Sequence, residues 1–170
     1  ISEQQFIENI LEKLYQFLYK NEHPIHTVGI GILRGNTFDM YYRGRLLQKF
    51  TQRFGAMSYE TTIAGKACEL FKHQQKPYLH LYSKKEILHV FENTSHELNQ
   101  AGYTEEAATL AKRGKITIDQ GIGSFLLIPL SYNTEVIGIF TLSSLQESNP
   151  TRILGEDIET SMIPISQLLS

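Results

Sequence analysis

The sequence predicts an α+β fold, a central antiparallel β-sheet with helices on both faces, and three observations carry that reading. The stretch Ser124–Leu145 reads as one β-hairpin: a nearly continuous apolar arm (SFLLIPLS), a polar Tyr132-Asn133-Thr134-Glu135 turn, and the returning arm EVIGIFTLSSL. On the returning arm Val136, Phe140 and Leu142 share one side, with Ile137, Ile139 and Thr141 on the other. Neither side is polar enough for water, so the pair belongs in the middle of a sheet covered twice. Around it the elements run helix, two strands, helices, strand, helices, two strands, helix.

A chain of 170 residues suits a single domain, 1–170, with a substantial core. Hydrophobic content of 41% with 20% charged residues is that of an ordinary globular protein. Net charge is −2, which gives no global attraction to nucleic acid or an anionic membrane. The local basic clusters Arg43/Arg45/Lys49/Arg53 and Lys112/Arg113/Lys115 read as solvated helix faces and a helix C-terminus. Cys68 is the one cysteine, so neither an internal disulfide nor a cysteine-based zinc site can form. A reducing, cytoplasmic setting fits that usage. No apolar run approaches the roughly 20 residues that span a bilayer, and no secretory signal is visible. The chain begins at Ile1 rather than Met and ends on an apolar run, as a piece cut from a longer signalling protein, or trimmed to its ordered part, would.

Taken in order, Ser2 and Gln5 form a capping box that opens the first helix. Ile7, Leu11, Leu14 and Leu18 follow with coiled-coil spacing, and Phe6, Ile10 and Phe17 widen the apolar surface. Two readings of that width stand side by side: burial in its own core, or a second contact with a partner. Asn21-Glu22-His23-Pro24 ends the helix. Ile25–Leu33 is a strand whose Gly29 and Gly31 leave one face bare, as happens where a backbone or a ligand comes close. Arg34-Gly35-Asn36 turns the chain into the strand Thr37–Arg43, with Phe38, Met40 and Tyr42 on one face and Asp39, Tyr41 and Arg43 on the other.

Leu46, Leu47, Phe50 and Phe54 have helical spacing and predict a helix ending near Gly55. A second helix, Ile63–Gln74, turns Ile63, Ala67, Leu70 and Phe71 inward, with Cys68 near that face as a small buried hydrophobe. In the strand within Lys76–Tyr82, Leu79 and Leu81 face one side and Tyr78, His80 and Tyr82 the other. That front either lines a pocket or is wet. Ser83 and Glu86 form another capping box, opening a helix through Ile87, Val90, Phe91 and Leu98. After Ala101-Gly102, a short helix Thr104–Lys112 stopped by Gly114 and a short strand Ile116–Ile118 are expected. The loop Asp119–Gly123 then feeds the hairpin. A last helix carries Ile158, Met162, Ile165 and Leu169 at the first helix's spacing, with Pro164 kinking it.

Recognisable reaction chemistry is missing. His89 and His96 share a helix two turns apart, about 10 Å between Cα atoms and too far for one metal. No zinc-protease, nucleophile-elbow or P-loop motif occurs. Glu105-Glu106 and Glu156-Asp157 sit at helix starts, where they complement the macrodipole. No catalytic residue, metal ligand or enzymatic activity is predicted.

The hairpin wording SFLLIPLSYNTEVIGIFTLSS resembles the GAF family of sensory domains, matching its hairpin pattern at Ser124, Pro129, Leu130, Val136, Ile137 and Gly138. Upstream, IAGKACELFKHQQKPYLHL is similar to the family's helix-to-strand passage at Gly65 and Pro77. The nearest fold alternative, PAS-like, usually lacks a long opening helix followed by this closing hairpin. Against the bilin-binding members, Cys68 is followed by Glu69 rather than His. The cyclic-nucleotide pattern N-K-x-F-D-E is absent. Members that reduce free methionine sulfoxide need several cysteines, and one cannot cycle through an intramolecular disulfide. The cofactor is therefore left unknown.

What the resemblance implies is a sensory or regulatory module, with a small molecule bound between the sheet and the middle helices Ile63–Gln74 and Lys84–Lys112. Tyr41, Tyr78, His80, Tyr82 and Ser124 are expected to line the site. The alternative is a ligand-free module that dimerises or docks, and a methionine sulfoxide reductase ranks behind both. A homodimer is expected through Ile7, Leu11, Leu14 and Leu18 with Ile158, Met162, Ile165 and Leu169, as a four-helix bundle.

Overall fold

The computed structural model describes residues 2–20, 25–44 and 52–148. Among them the strands are β1 (Ile25–Arg34), β2 (Thr37–Gly44), β3 (Gln52–Ser58), β4 (Leu79–Leu81), β5 (Ser124–Tyr132) and β6 (Glu135–Ser144). The helices are α1 (Glu3–Lys20), α2 (Ile63–Gln74), α3 (Lys84–Gln100) and α4 (Thr104–Asp119). The strands form one sheet in the order β3-β2-β1-β6-β5-β4, every neighbouring pair antiparallel. The central hairpin β5–β6 thus lies inside the sheet, as its two apolar faces require. The predicted last helix, with its Ile158, Met162, Ile165 and Leu169 stripe and Pro164, lies outside the described residues, as does the Asn21–Pro24 break.

Helices cover both faces. On one, α1 lays Ile7, Ile10, Leu11, Leu14 and Leu18 against Val28, Ile30, Tyr41, Leu126, Phe140 and Leu142. On the other, α2, α3 and α4 cover Phe38, Met40, Leu81, Leu127 and Ile139. The capping box at Ser2 and Gln5 closes reciprocally, each backbone N–H donating to the other's side chain. Two ion pairs fasten α1 along its length, Glu3 to Arg34 and Glu12 to Arg43, and the Arg43 guanidinium also lies 4.2 Å over the Tyr15 ring.

The four residues of the α1 seam are between 0% and 8% exposed in the isolated chain. The seam expected at a dimer interface is thus packed into the chain's own core, against the sheet. Phe17 and Tyr19 are the residues of α1 that remain exposed among its large hydrophobics.

Three further expectations change. Residues 52–55, read as the end of a helix, belong to β3, which pairs with β2 (Phe38↔Met57, Asp39↔Ala56). β2 is buried on both faces, and its outer backbone N–H and C=O groups need partners that helical spacing in the next segment cannot supply. Leu46, Leu47 and Phe50 of that predicted helix lie outside the described residues. The helix starting at Thr104 does not stop at Gly114 but runs to Asp119, absorbing the strand expected at Ile116–Ile118. Gly114 is there because Phe91 of α3 packs on its bare Cα: a Cβ would sit 2.8 Å from the Phe91 Cβ. A strand at 116–118 would also find no partner on β5, which already pairs with β6 and β4.

The third concerns the faces of β6. A register shift pairs Leu130 with Gly138 but Ser131 with Val136, leaving Ile137 as the extra residue of a bulge. Side-chain alternation therefore inverts there. Ile137 joins Phe140 and Leu142 on the α1 side, while Val136 joins Ile139 on the other. The bare face of Gly29 and Gly31 is filled by the sheet itself, since the Tyr42 ring and the Met40 side chain of β2 lie across them.

Candidate functional site

The residues expected around a ligand do not form one site. Tyr41, Tyr78, His80 and Ser124 lie on the face that α1 covers, opposite the helices between which a ligand was expected. Tyr41 is buried in β2 and donates to Asp39 Oδ2 at 3.5 Å. His80 stands on β4, four strand spacings away, about 19 Å. Ser124 is fully buried and its hydroxyl donates to the carbonyl of Gln146 at 2.6 Å. His80 and Tyr82 do meet, edge to face at 6.1 Å between ring centres, at the end of β4. There the His80 ring lies against Ser148, with Nε2 2.6 Å from Oγ.

A cavity of about 280 Å³ opens on the other face, close to the smallest volume usual for ligand pockets. One wall is the end of β3 and the turn into α2: Met57, Ser58, Thr61 and Thr62. The other is α4: Glu105, Glu106, Thr109, Leu110 and Arg113. Thr62 caps α2, donating to the Ser58 carbonyl at 2.6 Å and accepting from the Gly65 N–H at 3.3 Å. Thr109 donates back to the Glu105 carbonyl at 3.0 Å.

Charge is arranged along one face of α4. Glu105, Thr109 and Arg113 recur every four residues, so they stand in line, the carboxylates at the helix start and the guanidinium about 12 Å further on. Both signs thus border one small space, and among the described residues no ion pair engages Glu105, Glu106 or Arg113. Behind Met57 lies the Tyr42 hydroxyl, 3.5 Å from its sulfur. Burial pushes that phenol up to about 12, and the positive charge of Arg113 works against the rise.

None of these cavity residues stood out in the sequence. Glu105 and Glu106 satisfy the helix start, and Arg113 belongs to a basic cluster that reads as solvated. The available signal was the four-residue repeat of polar groups, which a helix facing water shows equally well.

Cys68, the chain's one cysteine, lies in the α2-side core with no exposed surface. Burial pushes its thiol up to about 12, with Lys72 opposing and Glu69 adding to the shift. It is a packing residue, as its place on the inward face of α2 predicts. Among the described residues no cluster of histidine, cysteine and carboxylate side chains is placed to hold a metal ion. Nor is any described helix long and apolar enough to cross a membrane.

No family model matches the sequence, and no curated protein matches it either. Solved structures do match. The GAF domain of a two-component sensor histidine kinase from Bacillus halodurans superposes with a TM-score of 0.58 at 11% identity, over 94% of this chain and 88% of that one. The GAF domain region of a putative membrane protein from Geobacter sulfurreducens gives 0.55 at 16% identity, over 97% and 89%. A type II free methionine-R-sulfoxide reductase from Thermoplasma acidophilum gives 0.50 at 14% identity, over 99% and 94%. At these identities the likeness is one of fold, and the fold is that of GAF domains.

Proposed function

We propose that this GAF-fold chain is a small-molecule-binding regulatory module rather than an enzyme. The observation that carries the reading is the cavity between the β3–α2 turn and α4, with charge of both signs on its α4 wall. A fitting ligand is small and polar, with an anionic group for Arg113 and donors for Glu105 and Glu106. Binding would draw α4 and the start of α2 onto one molecule and so convert occupancy into a change of helix position. Structural neighbours include a sensor-kinase domain, which agrees with a regulatory role, and methionine sulfoxide reductases, which do not require one. Against thiol-based reduction stands Cys68, protonated, buried and outside the cavity lining.

The test is to release and identify small molecules that co-purify with the chain, then to titrate the one found into variants. Arg113→Gln should weaken it by about 10- to 100-fold, the worth of a charge-assisted hydrogen bond. Tyr41→Phe, on the opposite face, should leave affinity unchanged. No co-purifying molecule, or equal affinity in all variants, would favour a ligand-free interaction module instead.

A further inference from the structure

The outer face of α4 carries charges that the chain itself leaves unpaired. Glu105, Glu106, Thr109, Lys112, Arg113 and Ile116 are all exposed there. Three and four residues after the two carboxylates stand Ala108, Thr109 and Leu110, so no base lies within reach along the helix. Lys112 and Arg113 follow seven residues on, about two turns and beyond pairing distance. Among the described residues no ion pair engages any of the four charges, whereas Glu3 with Arg34 and Lys66 with Glu97 meet within the chain. At one end of the row Ile116 is 45% exposed, an apolar side chain without cover. Just before the other end lies Gly102, where a Cβ would meet no atom within 4 Å.

We propose that this face of α4 pairs with the same face of a second copy, antiparallel about a two-fold axis at Thr109. Counting outward from Thr109, Arg113 of one helix stands level with Glu105 of the other, Lys112 with Glu106, and Ile116 with the open space at Gly102. One register thus serves the charges and the exposed isoleucine together. Every contact occurs twice, so the opposite charges frame a centre of small side chains, Ala108 and Thr109, over which the helices can approach closely. Parallel pairing in register would instead set each charge against its like. Sliding the antiparallel pair by one turn puts the carboxylates against Ile116 and Thr117, or against Ala108 and Thr109, so charge fixes the register as well as the direction. A single helix pair buries less than the roughly 1,200 Å² of a standard interface, which makes the association weak, and its exposed charges make it salt-sensitive. The pairing needs no ligand. Because it uses Glu105 and Arg113, a small molecule in the cavity would compete with the second copy, and occupancy would be read as release of the dimer.

The experiment is analytical ultracentrifugation of the full chain without added ligand, at concentrations up to about 1 mM, as a weak interface requires. At low salt the chain should exchange between monomer and dimer, and its dissociation constant should rise about 10-fold between roughly 50 and 500 mM salt. Two variants, Glu105→Lys with Glu106→Lys and Lys112→Glu with Arg113→Glu, each make the face a single sign and should be monomers with the circular dichroism of the parent. Mixed in equal amounts they should associate again, because each reversed end then meets its opposite. Thr109→Cys places a thiol at the axis while Cys68, the chain's own, is buried. It should oxidise to a linked dimer faster than Glu92→Cys, on the exposed face of α3. The proposal is overturned if the parent is a monomer throughout that range, or if a dimer survives in both reversed variants. It is overturned equally if the mixture stays monomeric or if the two cysteine variants cross-link at the same rate.

Discussion

Individual glycines explain why the resemblance reported the fold so well and the ligand so poorly. A Cβ on Gly65 would stand almost on the Tyr59 carbonyl, and one on Gly138 would run into the carbonyl of Gly31. Both are motif positions, and both are reserved for backbone approach rather than for chemistry. The hairpin turn shows the opposite case, where a residue sits in a conformation it does not favour. Asn133 and Thr134 have φ of 49° and 68°, the pair of positive values a two-residue type I′ turn demands. Asparagine tolerates that region, but a β-branched threonine is strained in it. Thr134→Gly should therefore stabilise the chain by about 1 kcal/mol, since glycine adopts the conformation without steric cost. Chemical denaturation would register this as a higher midpoint at unchanged slope, and a lower midpoint would show that turn strain is not what limits the hairpin.

Elements were legible where local chemistry decides them. The capping boxes at Ser2 and Ser83 mark real helix starts, and the second helix has the predicted bounds Ile63–Gln74. The readings that changed depend on partners distant in sequence. β3 exists because β2 has an open edge, α4 passes Gly114 because Phe91 packs on it, and the bulge in β6 is visible only in its register with β5. That bulge gives a sharp expectation for the central strand. Ile139 is fully buried, whereas Ile137, at the bulge, is only partly buried. Ile139→Ala should cost about 2–5 kcal/mol and Ile137→Ala clearly less. Equal losses in urea unfolding would mean that the bulge does not set Ile137 apart.

At the scale of the molecule, what no sequence pattern could settle is which face each stripe meets. The polar-aromatic front of Tyr78, His80 and Tyr82 reads either as a pocket wall or as a wet face, and its strand lies at the sheet edge with the His80 ring against Ser148. The cavity beside α4 was not legible in the sequence, because Glu105 and Arg113 become neighbours of Thr61 and Thr62 only after folding. The breadth of α1 was open to two readings for the same reason: periodicity gives the width of an apolar surface and not its occupant. Burial now decides. Leu11 and Leu18 have no exposed surface and lie in one cluster with Val28, Phe140 and Leu142, so their partner is the chain's own sheet. Replacing both with Glu would bury two carboxylates without partners, and each of these charges costs far more than the apolar packing that the leucine supplied. A domain of this size has only about 5–15 kcal/mol of stability to lose. The double variant should therefore fail to fold, with the near-ultraviolet dichroism of its tyrosines collapsed even at low concentration. Had the seam joined two copies instead, the same variant would be a well-folded monomer by light scattering, and finding one would overturn this assignment of α1.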